Sequence, residues 1–348
     1  AWREAAHPLA RRRLPSTEGG AAVFRSPADG ALLALVADHV VQGRVVFPGA
    51  GYLEMARAAC CALSPTATDG AAALRGVFFL QTLTIGAARV HIECAIADGR
   101  FEVRSGEAGD DAAAALDHPS VHCSGAFAPA KSEAWRRIAF VSAQASAHRS
   151  AIDAGALYNR LAAAGLQYDA AYRTLTSAWA HPRGQCAALL CARCDRQCTQ
   201  AHPADIDGAL QLSAALSATT DGVTRLPFAI EVALLRVITG AVCALSARRG
   251  AGASDVALTR VSGNAAVRLD GCKSRALSIA THTEQTRRWL YATEWCPACE
   301  APAEPPRAEA QRVLVVGDAT LVKRENAGGG HGVALHGKHH RWRAVMLL

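Results

Sequence analysis

Aromatic residues are scarce, at 5% of 348 residues. No apolar stretch reaches the roughly 18 residues that a bilayer-spanning helix needs. The opening Ala1-Trp2-Arg3-Glu4 carries mixed charge and lacks the apolar core of a secretion signal. A soluble, cytoplasmic protein with no membrane partner is therefore the expectation. A dinucleotide fingerprint is missing too, since Gly317 ends an apolar run but no GxGxxG follows it. The net charge is +7, yet no aromatics interleave with the two tight basic clusters, Arg11–Arg13 and Arg248–Arg249. Nucleic-acid binding is thus unsupported. A moderate basic balance suits a solvated surface or an acidic protein partner equally well.

Cysteine, by contrast, is plentiful, with twelve in the chain. Cys186, Cys191, Cys194 and Cys198 cluster, and Cys296-Pro297-Ala298-Cys299 supplies a CxxC. The cluster's spacing partly matches iron–sulfur ligation, but the two CxxC pairs are too far apart for a compact zinc module. Gln185 to Cys191 reads instead as a buried strand in which cysteine acts as a small hydrophobe. Alternation along a strand would also point Cys191 and Cys194 to opposite faces. No metal is expected, and the thiols read as structural in a reducing compartment.

What the chain does have is a twice-used pattern. Val36 to Phe47 reads as a strand with a bend, and Pro48-Gly49-Ala50-Gly51 breaks it. Tyr52 to Leu63 follows as a helix that is apolar on nearly every side and hence buried. Strand-like stretches come next at Gly76–Ile85, Arg89–Ala97, Phe101–Arg104 and Ser120–Phe127. From Ile152 the order returns, with a short helix over Ala154–Ala164 and strands at Arg173–Trp179 and Gln185–Cys194. A second apolar helix covers Ala204–Ala218, and strands follow at Phe228–Leu235, Ala241–Ala247, Val256–Ser262 and Ala265–Leu269. Two helix-in-sheet units in succession make an α+β pseudo-repeat. The expected linkers are Gly106–Asp117, Ala128–Ser150, Ala247–Ser254 and Pro297–Ala310. Arg312 to Asp318 reads as a strand opening an α/β domain, the first edge of a neighbour in a larger polypeptide.

Two segments carry candidate chemistry. In the first, His39, Gly43 and Pro48 are spaced HxxxGxxxxP. Gly43 permits a turn that holds His39 near the buried helix, and Pro48 sets the entry into that helix. The N–H groups of Gly49 and Ala50 are then free donors at a helix N-terminus, able to hold a carbonyl oxygen as charge develops on it. The second is His202-Pro203-Ala204-Asp205-Ile206-Asp207-Gly208-Ala209-Leu210-Gln211. Pro203 suits the first helical position, and Asp207 and Gln211 share a face at i and i+4. The apolar neighbours of Asp207 raise its pKa. Asp205, nearer the helix start, reads as an ordinary first-turn surface carboxylate.

Taken together these residues resemble polyketide synthase dehydratase domains. The resemblance rests on His7-Pro8-Leu9, the HxxxGxxxxP at His39, Pro48 to Ala56, the HPxxxDxxxQ segment at His202 and Leu226-Pro227-Phe228. It covers about Trp2 to Trp295. It departs at the family's YGPxF, which here reads Tyr168-Asp169-Ala170-Ala171-Tyr172 and places a carboxylate either at the substrate entrance or in solvent. The resemblance implies a double hot-dog fold, two antiparallel sheets each wrapped round a central helix. Its expected bounds are 1–128 and 152–295, joined by 129–151, with 296–311 linking to the start of a ketoreductase-like structural domain at 312–348. It also implies dehydration of a β-hydroxyacyl thioester, with neutral His39 as base, protonated Asp207 as acid and Gln211 as its orienter. Gly49 N–H is expected at the thioester carbonyl and Tyr168 at the substrate hydroxyl. No diffusible cofactor is implied, because the substrate arrives on the phosphopantetheine of an acyl carrier protein. Arg11–Arg13 either help to dock that carrier or are solvated. Further implied partners are a second copy in a homodimer and the neighbouring ketoreductase and ketosynthase/acyltransferase domains. Two competing readings are a cyclising domain on the same fold (pyran-forming or product-template-like) and a catalytically silent structural module.

Overall fold

The computed structural model describes residues 7–15, 21–63, 70–86, 89–108, 115–128, 150–181, 184–216, 223–250, 252–260, 265–277, 335–336 and 341–342. One compact unit spans Ala1–Ala280 and a second spans Thr281–Leu348. Within the second unit, Leu335–His336 and Arg341–Trp342 pair as a short antiparallel ladder. The expected domain end at 295, the strand at 312–318 and the thiols Cys296 and Cys299 lie outside the described residues.

The first half of the large unit contributes β1 (Arg12–Arg13), β2 (Ala22–Pro27), α1 (Gly30–Val36), β3 (His39–Val41), β4 (Arg44–Val45) and α2 (Gly49–Leu63). Four long strands follow: β5 (Ala72–Phe79), β6 (Val90–Ala97), β7 (Arg100–Ala108) and β8 (Leu116–Ala128). The second half contributes β9 (Ser150–Ile152), α3 (Ala154–Ala163), β10 (Leu166–Tyr168), β11 (Leu175–His181), β12 (Gln185–Leu190) and α4 (Pro203–Ala214). Its long strands are β13 (Arg225–Leu235), β14 (Val242–Arg249), β15 (Ala253–Arg260) and β16 (Ala265–Ala276).

Both halves follow one plan. In the first, the strand order is β2-β6-β7-β8-β5, and in the second it is β12-β14-β15-β16-β13. Each long helix enters after the first strand of its set and packs against the sheet. The expected pair of sheets is in fact one, because β5 and β13 pair antiparallel, Leu74 opposite Ala233 and Val77 opposite Ile230. The result is a continuous 13-stranded sheet with its seam between equivalent strands.

Residue size explains how the helices fit. Every residue of α2 from Ala50 to Cys60 is buried, and alanine and glycine fill much of it. Small side chains let the helix axis approach the sheet, so few aromatics are needed to fill the space. α4 is buried in the same way from Pro203 to Ala209, and the two helices touch each other across the seam. Several expected linkers are shorter than the sequence indicated. β7 runs on to Ala108, β8 begins at Leu116, and the Ala247–Ser254 stretch is the β14–β15 hairpin.

Candidate active site

His39 owes its position to a turn. The Val36–Phe47 segment is not one bent strand: Val36 closes α1, and β3 and β4 form a hairpin over it. Gln42 and Gly43 both have positive φ, 50° and 75°, as a two-residue type I′ turn requires. The turn folds Val46 back onto His39, whose carbonyl accepts the Val46 N–H at 3.1 Å. The His39 ring then meets the Val46 carbonyl, with Nδ1 to O at 2.7 Å. A carbonyl can only accept, so Nδ1 carries a proton, and in the neutral tautomer the lone pair lies on Nε2. The HxxxG spacing thus places Gly43 where a tight hairpin can present the imidazole with Nδ1 tied to the backbone. Pro48 ends the segment, and its carbonyl receives the Gly51 N–H at 2.9 Å as α2 begins.

Strand β10, from the second half, adds to this hairpin with Tyr168 directly opposite His39. Their ring centroids are 5.6 Å apart, and the Tyr172 ring lies 5.5 Å from His39 on another side.

Asp207 stands on α4, beyond the first turn, where the helix dipole no longer favours its charge strongly. It is 5% exposed. Burial pushes its carboxyl above the usual range, while the nearby His39 and a Gln211 hydrogen bond pull the other way. Burial prevails, as the sequence suggested. Gln211 Nε2 donates to Asp207 Oδ2 at 2.8 Å and to the Tyr172 carbonyl at 3.1 Å. Tyr158 of α3 donates its hydroxyl proton to Gln211 Oε1 at 3.1 Å. Tyr158 had no signature in the sequence, because a tyrosine in a short helix is ordinary until its partner is known.

Gly208, next to Asp207, has no room for a side chain: a Cβ there would run into Thr174 Oγ1. That hydroxyl is buried and has no hydrogen-bond partner among the described residues. Gly208→Ala is expected to destabilise the fold by about 1–3 kcal/mol. Adding Thr174→Ala should restore most of it, read as the unfolding midpoint in denaturant.

His39, Asp207, Gln211, Tyr168 and Gly49 all line one cleft of about 940 Å³. Gly43 lies outside it, at the hairpin turn. Burial raises the Tyr168 phenol well above its ordinary pKa, and the nearby Asp207 adds to the effect. It stays a neutral donor. Asp169 does not line the cleft: it is exposed at a turn whose Asp169 and Ala171 N–H groups bond to Asp38 of the first half. Asp205 is no surface carboxylate, being 3% exposed and paired with Arg193 at 3.0 Å. The thiols also differ from expectation, since β12 ends at Leu190 and Cys191, Cys194 and Cys198 are exposed beyond it. Among the described residues no group of three or more His, Cys, Asp or Glu is placed to hold a metal ion. No helix among them is long and apolar enough to cross a membrane.

The two His-Pro segments turn out to be matching braces. His7 Nδ1 accepts the Leu9 N–H at 3.2 Å, and His202 Nδ1 accepts the Ala204 N–H at 3.1 Å. Each Nε2 is thereby the protonated nitrogen, donating to Glu54 at 3.0 Å and to Gln197 at 3.2 Å respectively. Burial, aided by Arg193, drives the His202 pKa down to about 3, so its ring is neutral. Glu54 is wholly buried and also takes Arg57 at 2.6 Å and the Gln200 N–H at 2.9 Å. This cluster ties the start of the chain, α2 and the approach to α4 together.

A histidine from one half and a carboxyl from the other line one cleft in a double hot-dog sheet, and this fold and site define the class to which the chain belongs. Family models agree: one described as "Polyketide synthase dehydratase domain" matches residues 7–106. Another, "Polyketide synthase dehydratase N-terminal domain", matches residues 141–284. Between them they span more than half of the chain, which belongs to the polyketide synthase dehydratase family. Polyketide synthase ThaG of Burkholderia thailandensis is 32% identical over 253 residues, 69% of this chain. The chain spans 4% of that relative's length. Among solved structures, the dehydratase domain from the CurF module of the curacin polyketide synthase has a TM-score of 0.66 at 23% identity, covering 78% of this chain and 100% of that one. A trans-AT polyketide synthase dehydratase domain from Brevibacillus brevis has a TM-score of 0.67 at 21% identity, covering 79% and 100%.

Proposed function

We propose that this domain removes water from a β-hydroxyacyl thioester to leave an α,β-unsaturated one, within a multidomain synthase. The observation that carries the reading is the complementary state of the two groups. His39 Nδ1 donates to Val46 O, which leaves Nε2 as the basic nitrogen of the neutral tautomer, and burial favours the proton on Asp207. Nε2 removes the α-proton, the electron pair forms the new double bond, and Asp207 gives its proton to the departing hydroxyl. Water leaves, and the proton gained by His39 returns to Asp207 to close the cycle. Gly49, first residue of α2, offers its N–H to the thioester carbonyl as negative charge builds there. The Tyr168 hydroxyl, which lines the same cleft, holds the substrate hydroxyl.

The acyl group is proposed to arrive on the phosphopantetheine of an acyl carrier protein. A ketoreductase would supply the β-hydroxyl it carries. Mass spectrometry of a β-hydroxyacyl carrier protein incubated with the domain tests this. Loss of one water is the expected result. No loss across several acyl chains and both hydroxyl configurations would overturn it.

A further inference from the structure

The hydrogen bonds behind Asp207 are anchored at both ends by groups of fixed direction, the Leu175 N–H and the Tyr172 carbonyl. The Leu175 N–H can only donate, and it reaches the Tyr158 oxygen at 3.1 Å. The Tyr158 proton is then free for Gln211 Oε1. With its oxygen so engaged, Gln211 turns its NH2 to the Tyr172 carbonyl and to Asp207 Oδ2. Oδ2 is filled by an N–H and has no use for a proton of its own. The proton of a neutral Asp207 falls to Oδ1.

From this chain we infer that Tyr158 is a positioning residue: acting through Gln211, it keeps the transferable proton of Asp207 on Oδ1, the oxygen that Gln211 does not hold. The inference rests on the acid role proposed above. Its physical content is a choice between two states of the Gln211 amide. Were the amide turned over, its oxygen would face Oδ2 and the Asp207 proton would be drawn there, hydrogen-bonded inside the protein. Tyr158 opposes that state, because its hydroxyl proton would lose its acceptor. The Tyr172 carbonyl opposes it as well, since it would face an oxygen. The ring of Tyr158 is fixed separately, 5.6 Å beneath the Arg173 guanidinium and 6.3 Å from the Tyr168 ring. Tyr158→Phe can therefore remove the bond and keep the packing.

The groups facing the Asp207 carboxyl are His39 from β3, Tyr168 from β10, Tyr172 from the turn after it, and Tyr158 and Gln211 from the two helices. The test is a carbon-13 NMR titration of Asp207 in protein labelled at the aspartate carboxyl, the resonance being assigned with Asp207→Asn. Tyr158→Phe is expected to raise the Asp207 midpoint, because the Gln211 bond that lowers it is weakened. Gln211→Ala should raise it too, and the double variant no further than Gln211→Ala alone. On a β-hydroxyacyl carrier protein, Tyr158→Phe should lower kcat about tenfold, the equivalent of one hydrogen bond, with KM unchanged. An unmoved midpoint in Tyr158→Phe, or a rise that adds to that of Gln211→Ala, would overturn the inference. The titration needs no turnover, so an inactive wild type would count against the proposed function while Tyr158 is still judged by the midpoint.

Discussion

Replacing His39 with Phe, or Asp207 with Asn, is expected to slow water loss by about a thousandfold while the domain stays folded. Asn keeps the shape of Asp207 and can still accept from Gln211 Nε2 at the present 2.8 Å, but it has no acidic proton to give. Phe fills the imidazole volume between Tyr168 and Tyr172. Its cost is the orphaned Val46 carbonyl, about 1–3 kcal/mol, well short of unfolding. Because the proposed base and acid serve one elimination, the double variant should be little slower than either single one. Single-turnover mass spectrometry of the acylated carrier protein measures all three, with circular dichroism to show that they fold. A single variant retaining a tenth of the wild-type rate would remove that residue from the chemistry. The wild-type rate should also fall at high pH as Asp207 loses its proton, with a midpoint above the ordinary carboxylate range, since burial raises it.

Glu54→Gln is expected to have the largest effect on stability, a loss of about 3–5 kcal/mol, because Arg57 would be left buried without its counter-charge. Arg57 is 1% exposed, and its remaining acceptors are Gly70 O, Gln200 Oε1 and the Cys61 sulfur. Burial alone would raise the Glu54 pKa, but Arg57 and His7 bring it from the ordinary 4.5 down to about 2. A lowered folded-state value means that stability is present above 4.5 and is lost as pH falls towards 2. The contribution at neutral pH is about 3 kcal/mol. Urea midpoints measured from pH 6 downwards should therefore drop steeply below the ordinary carboxylate value in the wild type. In Glu54→Gln the profile should be flatter over the same window. Equal slopes in the two proteins would show that the cluster holds little of the fold together.

The sequence made some parts of this molecule readable and hid others for physical reasons. The buried helix after Pro48 was legible because apolar residues surround it on all sides, a pattern that has few other uses. Asp207 and Gln211 were legible as a pair because helical spacing alone puts them together. The β3–β4 hairpin was hidden by Gln42, whose positive φ is unusual for a residue with a side chain and left only Gly43 as a marker. Asp205 was misjudged because its burial depends on Arg193, twelve residues away and on no shared element. Tyr158 and Glu54 were invisible as functional groups, since each acts through partners far along the chain. Tyr158 reaches Gln211 across 53 positions, and Glu54 reaches Gln200 across 146. Nor could alternation within one strand foretell that β5 would find β13, because any apolar edge offers the same pattern.

That seam also works as a ruler. His39 belongs to one side of it and Asp207 to the other, and the ladder from Ala72–Leu235 to Phe78–Ala229 runs without a shift. A slip of two residues would keep every side chain on its proper face, yet slide one half past the other by about 6.8 Å. That is more than twice the length of a hydrogen bond, enough to part Asp207 from His39. The distance between His39 and Asp207 is thus metered at Leu74 and Ala233, both wholly buried. A change there would detune the proposed chemistry with His39 and Asp207 intact.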